Sequence, residues 1–279
     1  ANWGNNTMSF MNGWSMPALR TMHMRAIGSY TGPVCYCIEP GNGQRSGDTF
    51  TSKDESYWDN FPGNGSLSGD EIKIYIGRIL QYGYSGNMSV SWYSQNENDR
   101  IAMSHALATQ ILIWETIVGE RDSSFNKVGT GGKNAIWDMI SPSNPIYTTT
   151  LALYDNMVRQ VQNHTKVPSF FARSTGKAQE IELEWNGSEY VATLTDSNNV
   201  LGNYSFSANV TGFEFSTEGN KLTIKTKTPP TDTVTISATK KNGSRTGFVT
   251  WADGSTGVQG SKQDIVTYAQ SVSDPVKGY

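Results

Sequence analysis

Cysteine, charge and long apolar runs are what this sequence has least of. Two cysteines in 279 residues exclude a disulfide-rich scaffold and a four-cysteine zinc site. Charged residues make up 17%, against about 25% in an average domain. The 22 Lys plus Arg and 25 Asp plus Glu leave a net charge of −3. That near-neutral balance argues against nucleic acid as a partner, because such binders carry a basic face. No run approaches the ~18 apolar residues of a membrane span, so no membrane insertion of this segment is expected. The three histidines, His23, His105 and His164, form no paired motif, so neither a metal nor another cofactor is expected. The chain starts at Ala1 without a signal peptide, lipidation motif or anchor tail. Such a start fits a chain from which these were removed, or a piece excised from a longer protein.

Aromatics, at 11%, exclude a disordered chain. Abundant Gly, Asn, Ser and Thr suggest many turns and half-exposed strands. Asn-X-Ser/Thr triplets such as Asn186-Gly187-Ser188 are expected by chance in such a composition, and glycosylation is not inferred from them. At roughly 150 residues per domain the length suggests about two domains, and the character changes near Pro168. The expected class is α+β: a mixed strand and helical module over 1–168, then a β-sandwich over 169–279. The first strands are free to pair with the last, so the boundary is approximate.

Before Pro168 the spacing predicts helices over Asp70–Tyr82, Asp99–Val118, Asn134–Ile140 and from Pro145 or Ile146 to Gln162. Ser68 and Glu71 have capping-box spacing for the first, and Gly119 stops the second. Ala26–Tyr30 and Pro33–Glu39 read as strands. Gly41–Gly69 reads as loop, with Trp58 and Phe61 tucked against a core. After Pro168 the strands are Glu180–Trp185, Tyr190–Thr195, Val200–Ser205, Gly212–Ser216, Lys221–Thr226, Thr233–Thr239, Gly247–Trp251 and Ile265–Ala269. Asn186-Gly187, Gly219-Asn220 and Asn242-Gly243 mark turns between them. Aromatics in this half read as sandwich packing rather than a carbohydrate-binding face, and no lysine can be paired with an Asn or Asp there as an isopeptide bond.

Chemistry concentrates in two places. In the second helix, Leu107, Ile111, Trp114 and Val118 form one apolar stripe; Met103, Ala106, Gln110, Ile113 and Ile117 form its neighbour. A helix apolar over so wide an arc is mostly buried. An unpartnered amide inside it costs on the order of 2–7 kcal/mol, so Gln110 needs hydrogen-bond partners or a chemical fate. The other place is the strand carrying Cys35 and Cys37, which face the same side. A bond between these two would be strained. They read as small buried thiols, as a nucleophile with His105 as base, or as something that joins both places. A cysteine thiol and a glutamine carboxamide condense to an internal thioester, with loss of ammonia, when held in contact away from water. Positioning of that kind is worth effective molarities of roughly 10⁵–10⁸ M.

Tyr36-Cys37-Ile38, followed about 70 residues later by Thr109-Gln110-Ile111-Leu112-Ile113-Trp114, resembles the signature of the thioester domains of Gram-positive surface adhesins. The likeness extends to Ile38-Glu39-Pro40-Gly41, to Ile76-Gly77-Arg78-Ile79-Leu80 with Tyr82-Gly83-Tyr84, and to Ala135-Ile136-Trp137. It covers about residues 26–165. The aromatic-Cys-apolar frame selects Cys37 over Cys35, which Val34 precedes. The resemblance implies a Cys37–Gln110 thioester that is attacked once by a primary amine, typically a lysine of a host surface protein. Small amines would react in vitro. The product is an amide on Gln110 and a released Cys37 thiol, so no enzyme activity is implied. Supporting roles fall to Tyr36 or His105 as base, to Thr109 beside the carbonyl or back-bonded to its helix, and to Trp114 as a shield. The implied location is the bacterial cell surface, with cell-wall anchoring through a region outside this segment.

Overall fold

A computed structural model describes residues 7–9, 15–17, 24–25, 34–42, 48–86, 96–252 and 263–279. Along the chain, strands β1 (Thr7–Ser9), β2 (Ser15–Pro17), β3 (Met24–Arg25), β4 (Val34–Cys37) and β5 (Thr51–Lys53) come first. Helices α1 (Ser56–Asp59), α2 (Gly69–Tyr82), α3 (Glu97–Val118) and α4 (Tyr147–His164) follow. The chain then continues through β6 (Glu184–Trp185), β7 (Tyr190–Thr195), β8 (Tyr204–Ala208), β9 (Phe213–Glu218) and β10 (Lys221–Thr226). It closes with β11 (Ile236–Lys240), β12 (Ser244–Ala252), β13 (Ile265–Ser273) and β14 (Lys277–Gly278). With helices and antiparallel sheets kept apart in this way, the class is α+β.

The residues form two compact units, one of 1–164 with 245–272, the other of 165–244 with 273–279. In the first, a five-stranded sheet runs in the order β3-β4-β13-β12-β5. The strand that carries both cysteines thus sits inside a sheet, paired with β13 through Ile265↔Cys37, Val266↔Tyr36 and Thr267↔Cys35. Helix α3 packs against α2, α4 and β4. A single core of side chains such as Ile38, Ile72, Ile76, Ile111, Leu112 and Val266 joins helices to sheet.

Local chemistry explains the helix ends. Ser68 accepts the Glu71 N–H while the Glu71 carboxylate accepts the Ser68 N–H, at 3.3 and 2.8 Å. That reciprocal box starts α2 where the sequence placed it. Asn96 caps α3 by accepting the Asn98 N–H at 2.9 Å, two residues earlier than expected. Gly119 ends α3 at φ 88°, a left-handed conformation that glycine adopts without a Cβ clash. By length and composition α3 is apolar enough to cross a membrane, but 78% of its most apolar stretch is buried in this unit. The expected helix at Asn134–Ile140 is a 3₁₀ turn over Ile136–Met139.

A further sequence expectation for this unit changes. The stretch Gly41–Gly69 is not all loop: it contains β5 and α1. Strand β5 pairs Lys53, Ser52 and Thr51 with Thr250, Trp251 and Ala252, and its polar residues carry no apolar alternation to betray it. Trp58 and Phe61 are buried as expected. The expected strand Ala26–Tyr30 lies outside the described residues.

The second unit holds two sheets, β6-β7-β10-β9 and β14-β11-β8. Leu194, Phe213, Leu222 and Ile224 of the first share a core with Phe206 and Ile236 of the second, which is a sandwich arrangement. Strands β7 and β10 match the expected bounds, and Asn242 and Gly187 turn with positive φ. Val200–Ser205 does not begin as a strand. The Asp196 carboxylate accepts the Asn198 and Val200 N–H groups at 3.0 and 2.7 Å and curls the chain into a 3₁₀ turn at Leu201–Asn203. The edge strand β6 keeps only two of the six expected residues.

Candidate functional site

Strand β4 ends at Cys37 and helix α3 presents Gln110, and the two meet. The Cys37 N–H donates to Gln110 Oε1 at 2.7 Å, and Gln110 Nε2 donates back to the Cys37 carbonyl at 2.8 Å. Strand geometry explains the pairing. Ile38 turns its N–H toward the β13 side, donating to Asp264 O at 3.0 Å. Cys37, one residue earlier, therefore faces its N–H and C=O to the opposite edge. There β3 pairs only with Val34 and Cys35, and the Gln110 carboxamide takes over as a strand residue would. Gln110 is half-buried and Cys37 is 8% exposed, so the contact lies just under the surface rather than deep in the core.

Both cysteines are buried, and they are not joined in a disulfide. Burial first, and the neighbouring Cys35 thiol second, push the Cys37 thiol well above its ordinary pKa. A thiol held neutral is a weak nucleophile unless it is pressed against its target. Among the described residues no group of His, Cys, Asp and Glu could hold a metal ion.

The other expected residues surround the pair without all touching it. Tyr36 donates its hydroxyl to the Tyr84 carbonyl at 2.6 Å. Burial, followed by Tyr268, raises its pKa, so the phenol keeps its proton and makes a poor base. His105 lies about 140° around the helix from Gln110, with Nε2 against the Tyr82 carbonyl at 2.9 Å. A carbonyl only accepts, so that nitrogen carries a proton and does not face the Cys37–Gln110 contact. Thr109 back-bonds to the His105 carbonyl at 2.8 Å and accepts the Tyr84 N–H at 3.1 Å. Trp114, on the Gln110 face one turn later, is buried, and its indole N–H has no hydrogen-bond partner among the described residues.

Three neighbours were not singled out from sequence. Glu39 is buried and accepts the Asp264 N–H at 3.0 Å, which ties the segment after Cys37 to the start of β13. Tyr268 sends its hydroxyl to the Leu80 and Tyr84 carbonyls, each at 3.1 Å. Behind α3, buried Glu115 binds Arg121 and Tyr154, with Arg121 Nε at 2.8 Å and the Tyr154 hydroxyl at 2.7 Å. Glu39 stood inside a quoted motif. Tyr268 and Glu115 gave no signal, because a partner some 190 residues away or a lone acid on an apolar helix is not read from spacing.

No curated protein matches the chain. A solved structure, the thioester domain of the Staphylococcus aureus TIE protein, aligns over 84% of this chain and 76% of its own at 18% identity, with a TM-score of 0.36. The thioester domain family model matches residues 34–163, a span that begins at β4, ends at the close of α4 and includes both Cys37 and Gln110. Over residues 34–163 the chain is thus similar to the thioester domain family.

Proposed function

We propose that Cys37 and Gln110 form an internal thioester, and that the protein uses it once to bond covalently to an amine-bearing ligand. The reading rests chiefly on the reciprocal hydrogen bonds between the Cys37 backbone and the Gln110 carboxamide, inside the stretch that matches the family. In the forming step the Cys37 Sγ attacks the Gln110 amide carbon. The S–C bond forms, the C–Nε2 bond breaks, and the thiol proton leaves with the nitrogen as ammonia. The Cys37 N–H already donates to Oε1, the oxygen on which negative charge develops, and so serves as an oxyanion donor. In the second step a primary amine attacks the same carbon, an amide forms, and the thiol departs with a proton from the amine. The departing sulfur ends as the neutral Cys37 thiol, the form that burial favours.

The expected ligand is a lysine of a host surface or matrix protein, and the expected setting is the bacterial surface, with anchoring through a region outside this chain. The gain is mechanical. A non-covalent complex has a finite off-rate, whereas an amide does not dissociate under flow. The domain is consumed by its reaction and does not turn over. A cysteine-nucleophile enzyme built on Cys37 and His105 runs against the raised thiol pKa and the engagement of His105 Nε2 with the Tyr82 carbonyl.

Intact mass tests this reading. The wild-type chain should weigh roughly 17 Da less than its sequence mass, and methylamine should convert it to a species roughly 14 Da heavier than that sequence mass. Cys37→Ala and Gln110→Ala should each abolish both signals. Full mass with no methylamine adduct in untreated wild-type protein overturns the reading.

A further inference from the structure

We propose that Glu39 is the positioning residue of the Cys37–Gln110 pair: its carboxylate holds the strand neighbour that fixes the Cys37–Ile38 peptide plane against Gln110. The inference rests on the thioester reading above and deepens it. A peptide unit is planar, with its N–H and C=O on opposite edges. The unit between Cys37 and Ile38 is held at both. Its N–H donates to the Asp264 carbonyl at 3.0 Å, and its C=O accepts Gln110 Nε2 at 2.8 Å. The seating of Gln110 therefore depends on how Asp264 is held.

In an uninterrupted antiparallel ladder Ile38 and Asp264 would exchange both of their backbone hydrogen bonds. Here the Asp264 N–H goes to Glu39 Oε2 instead, at 3.0 Å. The same oxygen accepts Asn42 Nδ2 at 3.1 Å. The Glu39 carbonyl accepts Gln263 Nε2 at 3.1 Å and the Asn42 N–H at 3.2 Å. The Tyr57 hydroxyl of α1 donates to the Asp264 carboxylate at 2.9 Å. Pro40 and Gly41, the latter at φ 102°, complete a tight turn whose geometry suits a proline followed by a glycine. Strand β4 thus stops at Cys37, and the chain turns directly after it.

This arrangement takes two carboxyl groups out of water, since Glu39 is 5% exposed and Asp264 1%. A ladder bond to the Ile38 carbonyl would satisfy the Asp264 N–H without burying a charge, which is costly. A local rule broken at such a cost marks a place where geometry outweighs stability. The carboxylate ends the ladder beside Cys37 without loosening Asp264. Both peptide planes that flank Cys37 are then held, by Val266 opposite Tyr36 and by Asp264. The direction of the Cys37 Cβ is fixed, and with it the approach of Sγ to the Gln110 carbon.

The test compares the wild-type chain with Glu39→Gln and Glu39→Asp. The Asp264 N–H and Asn42 Nδ2 converge on one oxygen, which a glutamine amide supplies at the same reach. Aspartate keeps the charge but falls one methylene short. Intact mass gives the fraction of chain at reduced mass and the rate at which methylamine consumes it, and a thermal melt follows the fold. Glu39→Gln should keep fraction and rate near those of the wild type. Glu39→Asp should lower the fraction several-fold and slow methylamine attack on what remains by on the order of 10-fold, with a cooperative melt retained. Wild-type fraction and rate in Glu39→Asp overturn the positioning role and leave the thioester standing. Glu39→Gln as impaired as Glu39→Asp assigns the effect to charge and overturns it too. A lower melting temperature with an unchanged methylamine rate, or loss of the cooperative melt, makes Glu39 a stabilising residue only, with the same result. Wild-type protein without the deficit of roughly 17 Da overturns the thioester reading and this inference together.

Discussion

At the scale of single residues, the most exposed dependence on solution conditions belongs to Glu120. Its carboxyl is fully buried, Oε1 accepts the Ile136 N–H at 2.8 Å, and Oε2 has no hydrogen-bond partner among the described residues. Burial, and then the charge of Glu115, push its pKa up to about 7. Below about pH 4.5 both folded and unfolded chains hold this proton. Between there and pH 7 only the unfolded chain releases it, so stability falls across that window and levels off above. The loss amounts to at most about 3 kcal/mol. Glu120→Gln keeps the acceptor for Ile136 and removes the titration, so its urea midpoints at pH 5 and pH 8 should converge while those of the wild type differ. Gln110 was legible at this scale because a polar amide in an apolar stripe demands an explanation. Glu120 was not, because nothing in the order of residues shows that a chain turning back after Gly119 will bury an acid.

At the scale of elements, the backbone of one residue ties the cysteine strand β4 to helix α3, which carries Gln110. Tyr36, just before Cys37, donates to the Tyr84 carbonyl, and Thr109, just before Gln110, accepts the Tyr84 N–H. Gly83 allows this approach. A Cβ there would stand 2.6 Å from the Thr109 methyl, although its own φ of −82° suits any residue. Thr109→Val keeps the shape but loses the acceptor, and Tyr36→Phe loses the donor. Each should lower the fraction of chain at reduced mass by several-fold, while Thr109→Ser restores it. Gly83→Ala should act more strongly, because helix α3 itself must shift. Melting temperatures of the same variants check that the fold survives. The helices themselves were legible through caps and periodicity, α2 by its box and α3 by its terminal glycine. Strand β5 was not, since its three polar residues become a strand only by pairing with β12. The start of β8 was masked by the Asp196 turn, where a side chain outbids the ladder for backbone N–H groups.

At the scale of the whole molecule, the sequence change near Pro168 reflects composition rather than connectivity. Strands β12 and β13 follow the sandwich residues in sequence, yet they sit in the sheet that holds Cys37. Alternation alone does not tell which sheet a strand will join. A fragment of residues 1–168 therefore lacks the neighbour of β4 that pairs with Tyr36 and Cys37. It is expected to show neither a cooperative thermal transition nor the mass deficit, which calorimetry and mass spectrometry on the fragment would check. The same connectivity sets a timetable for synthesis. The partner of the cysteine strand begins at Ile265, so a ribosome must release the chain through β13 before Cys37 has its strand neighbour. If Cys37 and Gln110 join as proposed, the electrophile is withheld from the nascent chain's own lysines until β13 has emerged.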